Sequence, residues 1–65
     1  METYQARVVQ EKADLADKLM ALTQFISSSP VFNGLDPAEK TRLRAQRDVM
    51  NEYHDILAER IEALK

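Results

Sequence analysis

The chain has no cysteine, no tryptophan, one histidine, one glycine and two prolines in 65 residues. Without cysteine there is no disulfide to staple a small fold and no thiol nucleophile. His54 alone, with no cysteine beside it, provides no ligand set for a metal. No apolar run approaches the ~18 residues needed to span a bilayer, and Met1-Glu2-Thr3 lacks the basic-then-apolar pattern of a signal peptide. A cytoplasmic protein away from membranes is therefore expected, and the missing cysteine fits a reducing compartment.

Groups for catalysis are also scarce. The serines concentrate at 27 to 29, with no histidine placed locally to activate them. Glu59 and Glu62, three apart on a helix, read as solvated charges rather than a tuned acid and base. His54 beside Tyr53 reads most simply as a helix-surface or interface side chain. No catalytic residue, metal site or cofactor is assigned, and the expectation is a protein that is not an enzyme. A net charge of −2 and a pI near 5.2 argue against gripping long nucleic acid through many phosphates. A small anion needs only a few cations. Lys40, Arg42, Arg44 and Arg47 form one basic segment, although interleaving with Glu39 and Asp48 also suits an ordinary solvated helix face.

What the chain does have is helical periodicity. Val8, Leu15 and Leu22 recur every seven residues, with Leu19 and Ile26 four after the last two. Leu43, Met50, Leu57 and Leu64 repeat the pattern. The spacing predicts a single all-α domain over residues 1–65: helix 2–27, loop 28–36, helix 37–64. Ser27-Ser28-Ser29-Pro30 ends the first helix, because serines compete for backbone hydrogen bonds and Pro30 biases Ser29 away from the helical region. Asn33-Gly34 supplies a turn. Asp36 as N-cap, Pro37 at the first helical position and Glu39 three residues after the cap, as a capping box, start the second helix. Val31, Phe32 and Leu35 are too apolar for a free linker, so Phe32 and Leu35 are expected under the closed end, with an apolar dock for a partner as the alternative.

An antiparallel hairpin matches Leu22 with Leu43, Leu15 with Met50 and Val8 with Leu57, which brings Tyr4 and Gln5 near Arg60 and Ile61. Each helix also carries a second apolar line: Val9, Ala13, Ala16 and Met20 on the first, Val49, Ile56 and Ala63 on the second, each about 100° from the main stripe. One partner helix cannot cover both lines. Domains near 60 residues bury only about 60% of their unfolded surface, so the expected remedy is a helical homo-oligomer.

Three exposed-type side chains could meet a ligand. Tyr4 offers a flat face for a base and Lys18 an ammonium for a phosphate. They share a helix face but stand roughly 21 Å apart, so one molecule cannot bring both to a small ligand, whereas two antiparallel copies of the first helix can. Arg60 continues the heptad line Gln46, Tyr53, Arg60, at a border where a charge needs a partner or an anionic guest. Plainer roles also exist: Tyr4 packing on the second helix, Lys18 paired with Asp14, and Arg60 paired with Glu2 or Glu11.

From Tyr4-Gln5-Ala6-Arg7-Val8-Val9 and Glu11, through Leu15, Lys18, Leu22, Phe25-Ile26, Pro30-Val31-Phe32, Leu35 and Glu39, to Leu43, Gln46, Met50, Tyr53, Ile56-Leu57 and Glu59-Arg60-Ile61, the chain resembles the small phage anti-CBASS cyclic-nucleotide sponges. Their helical hairpin is shared with a phage anti-Thoeris sponge. The start Arg7-Val8-Val9 with Glu11 and the end Glu59-Arg60-Ile61 are the more distinctive parts. The resemblance implies a compact hexamer in the infected host cell that sequesters cyclic oligonucleotides without cleaving them. It implies that Tyr4 stacks on a base and Lys18 contacts a cyclic dinucleotide in a pocket shared between protomers, with Arg60 as the candidate for a second pocket taking cyclic trinucleotides. The alternative reading is a structural or adaptor hairpin that docks on a partner protein through its apolar face.

Overall fold

The computed structural model describes residues 3–64. Among these the chain is all-helical: α1 (Tyr4–Ser28), a one-turn α2 (Pro30–Asn33) and α3 (Pro37–Ala63), with α1 and α3 packed antiparallel. The first turn of α1 is held by Thr3, whose hydroxyl accepts from the Ala6 backbone N–H at 3.1 Å. Glu2, where the first helix was expected to begin, lies outside the described residues.

The segment 28–36 is not a plain loop. Ser27 and Ser28 stay in line, their hydroxyls donating back to the Gln24 carbonyl at 3.4 and 2.8 Å, so these serines decorate the last turn instead of ending it. Termination waits for Ser29. Its N–H donates to the Phe25 carbonyl at 3.2 Å, closing α1, and its hydroxyl accepts from Val31 N–H at 3.2 Å, opening α2. Pro30 then occupies the first turn of α2, where its fixed φ suits a helix start. Gly34 has φ −86° and ψ −2°, so this turn does not use the left-handed region.

At the start of α3, Asp36 is the N-cap residue and Pro37 follows it, but the expected capping box does not form. The Asp36 side chain makes no cap hydrogen bond. Glu39 instead accepts from Arg42 at 2.8 Å.

Val8, Leu15 and Leu57 form the buried seam, with Leu57 fully enclosed and Met50 and Ile61 packed against it. Val8 opposite Leu57 and Leu15 beside Met50 follow the register expected from the heptads. Phe32 is 3% exposed and closes the hairpin, with Phe25 edge-on to its ring at 5.9 Å between centroids.

The result is a rod of 45 × 18 × 15 Å with a radius of gyration of 14.7 Å, against roughly 11 Å for a compact domain of this length. Its accessible surface of 4875 Å² exceeds the roughly 4,200 Å² of a typical compact monomer of 7.5 kDa. The second apolar lines account for part of the excess. Val9 and Met20 on α1 and Val49 and Ile56 on α3 are all more than half exposed.

Candidate functional face

The helical phase of 100° per residue divides the hairpin into two long faces. On one, Arg7, Glu11, Asp14 and Lys18 of α1 meet Tyr53 of α3 around an open groove of about 340 Å³ floored by Leu15. About half a turn away around α1, Val9, Ala13 and Ala16 meet His54 and Ile61 in a second groove of about 300 Å³. The first groove is charged and bears an aromatic ring. The second is largely apolar, with Lys12 at its edge.

All three residues singled out from the sequence fall on the first face. Lys18 lines its groove. Tyr4 lies within about 40° of Lys18 around α1, two heptads away. Arg60 is seven residues after Tyr53, hence on the same stripe of α3, and its guanidinium donates to the Tyr4 hydroxyl at 2.6 Å. The Arg60 guanidinium also sits over the Tyr4 ring, 5.7 Å from its centroid.

The hydrogen bond to Tyr4 is the main reason that the Arg60 pKa is raised from its ordinary value; the Tyr4 charge once its phenol ionises adds to it, desolvation opposes it, and the charge of Glu11 adds least. The partner of Arg60 is thus an aromatic hydroxyl, with Glu11 acting through its charge. Glu2, the other acid considered for it, is outside the described residues. Tyr4 does reach the second long helix, as its plainer role foresaw, yet its side of the clasp remains 52% exposed.

Lys18 has no ion pair among the described residues; the expected partner Asp14 instead accepts from Gln10 at 2.9 Å. Tyr4 and Lys18 are not brought together within one chain, because about 21 Å of helix rise separates them.

The basic segment of α3 does not converge on one anion. Arg42 pairs with Glu39 and Arg47 with Asp48, at 2.8 and 3.4 Å. Lys40 and Arg44 lean on the Phe32 ring, 5.6 and 5.3 Å from its centroid. His54 is half-buried in the apolar groove, 3.9 Å from Asp55.

Sequence reasoning passed over Tyr53 and Arg7 as members of the charged groove. The signal for Tyr53 was present: it sits on the Gln46, Tyr53, Arg60 line, and the heptad register places it opposite the middle of α1. Arg7 is one turn before Glu11 and three turns before Lys18, on their face.

Among the described residues, no group of three or more His, Asp or Glu side chains is arranged to hold a metal ion, and no helix is long and apolar enough to cross a membrane. Fold and face together define a small helical hairpin with an open strip of aromatic rings and cations. The chain belongs to the Sequestin family, whose family model matches residues 2–63, and the family name indicates proteins that sequester. No curated protein and no solved structure matches the chain.

Proposed function

We propose that the protein binds and sequesters cyclic oligonucleotide second messengers without cleaving them, as a phage anti-defence protein that blocks CBASS-type immune signalling. The observation that carries this reading is membership of the Sequestin family over residues 2–63. The chemistry of the charged face supports it. A cyclic dinucleotide presents two flat bases and two phosphates, and two copies of this face present two Tyr4 rings and two Lys18 ammonium groups.

Because one chain separates Tyr4 from Lys18, the pocket lies between copies. Tyr4 of one chain stacks on a base while Lys18 of another contacts a phosphate, and two-fold symmetry makes such pockets in pairs. The line of exposed Val9, Ala13 and Met20 with half-buried Ala16 supplies apolar surface for assembly, with the hexamer of the phage sponges as the proposed size. Arg60 is the proposed centre of a second pocket for cyclic trinucleotides.

Calorimetry with cyclic di- and trinucleotides, with light scattering for mass, tests this reading. Binding, recovery of intact nucleotide after heating, and a mass near six chains are the expected results. Tyr4→Ala or Lys18→Ala should abolish dinucleotide binding and leave the mass unchanged; normal binding by both variants would misplace the pocket. Arg60→Ala should weaken trinucleotides selectively. Since Arg60 bonds to Tyr4, equal loss of both ligand classes would merge the two pockets into one.

A second reading, an adaptor that docks on a partner protein, draws on the same exposed apolar lines. A chain that stays single in solution and binds no cyclic nucleotide would favour it.

A further inference from the structure

We infer that Tyr53 and Arg7 complete, with Lys18, a half-site within each chain: Tyr53 stacks on a base of the cyclic ligand while Arg7 and Lys18 take phosphates on either side of it. This rests on the sequestering function proposed above and adds two ligand-contacting residues to it.

Four observations converge on the assignment. Tyr53 remains 40% exposed although it lies one turn from the fully enclosed Leu57, so it borders the seam and offers ring surface to the groove.

The groove's formal charges balance, so a ligand must meet its cations individually. Arg7 and Lys18 have no ion pair among the described residues, which leaves both side chains able to turn toward a phosphate, while the Asp14 carboxylate is turned to Gln10.

Arg7 and Lys18 are eleven residues apart, about 16 Å of helix rise, and the hairpin register puts Tyr53 between them. Both side chains are long enough to lean toward the ring from its two sides. A ligand that carries a base together with two phosphates can therefore engage both cations at once, whereas a lone phosphate engages both only where the two side chains converge. The groove volume of about 340 Å³ lies at the small end of the ~300–1,000 Å³ range of ligand sites, enough for part of such a ligand and leaving the remainder for a second copy.

The test is calorimetry with cyclic di-AMP, cyclic di-GMP, cyclic GMP–AMP and AMP on the full chain and on Tyr53→Leu, Tyr53→Phe and Arg7→Gln. Light scattering follows the mass of each variant. Leucine keeps apolar bulk but has no aromatic face, and phenylalanine restores the face.

For whichever cyclic dinucleotide binds the unmodified chain, Tyr53→Leu should lose about tenfold or more in affinity at unchanged mass, and Tyr53→Phe should stay within about threefold. Arg7→Gln should lose about fivefold at low salt, with a smaller loss as salt rises. AMP should bind more weakly than the dinucleotide. Unmodified affinity in Tyr53→Leu or Arg7→Gln overturns the half-site while leaving sequestration standing. So does a mass that falls together with affinity in Tyr53→Leu, which would make the residue a packing contact between copies. If the unmodified chain binds none of the cyclic dinucleotides, the half-site falls, and the sequestering function falls with it unless a cyclic trinucleotide binds.

Discussion

The two ends of the hairpin use the same pair of chemical groups, an aromatic ring and a cation, to opposite effect. At the closed end, Phe32 is 3% exposed, flanked edge-on by Phe25 and overlaid by Lys40 and Arg44, so its ring is used up in closing the fold. At the open end, Tyr4 is 52% exposed and is joined to Arg60 by one hydrogen bond and one ring contact. A ring surrounded on several sides anchors the chain. A ring held from one side keeps a face for something else, and the cation beside it stays in water, where it can meet an anion.

The contrast is sharpest in stability. Phe32→Ala should have the largest effect, roughly 3–5 kcal/mol by denaturant unfolding at fixed protein concentration, because a buried ring leaves a cavity and strands the groups packed on it. A loss under about 1 kcal/mol would mean that the closed end is as loosely held as the open one. The next step down is Ser29→Ala. It removes the hydroxyl that opens α2 and should cost about 1 kcal/mol, typical for a lost cap. Asp36→Ala should cost less than Ser29→Ala, since Asp36 makes no cap hydrogen bond and contributes mainly through the helix dipole. A reversal of that order would show that the Asp36 carboxylate does cap α3.

These same particulars show how far the chain could be read in advance. The main stripes and their register were legible because a seven-residue apolar repeat fixes which sides of two helices meet, and Val8 against Leu57 follows directly. The burial of Phe32 was legible because a ring in a short connection has the most apolar surface to cover, and the cover goes to it: Leu35 is half-buried and Val31 stays 63% exposed. The extra turn α2 was not, since Ser29 must cap in both directions and each bond alone is available to an ordinary loop. The missing capping box has a similar cause: the spacing that sends Glu39 back to the cap also puts Arg42 within its reach, and the sequence pattern suits both partners equally. At the candidate site, Tyr4 near Arg60 came from the register, while the groove holding Arg7, Lys18 and Tyr53 required knowing which side of each stripe remains uncovered.

The smallest expected effect belongs to the open end and tests the comparison from the other side. Tyr4→Phe keeps the ring beneath the Arg60 guanidinium and deletes only the hydroxyl that accepts its hydrogen bond at 2.6 Å. Both groups are exposed, so water replaces the lost bond and the melting temperature should not shift resolvably. If Tyr4 serves as a stacking surface, cyclic dinucleotide affinity should also stay close to that of the unmodified chain, in contrast to the loss expected for Tyr4→Ala. A marked drop in melting temperature for Tyr4→Phe would make the Tyr4 and Arg60 contact a second anchor, equivalent to the one around Phe32. The two ends would then differ in position along the rod and no longer in purpose, and the ligand role of Tyr4 would lose the free face on which it depends.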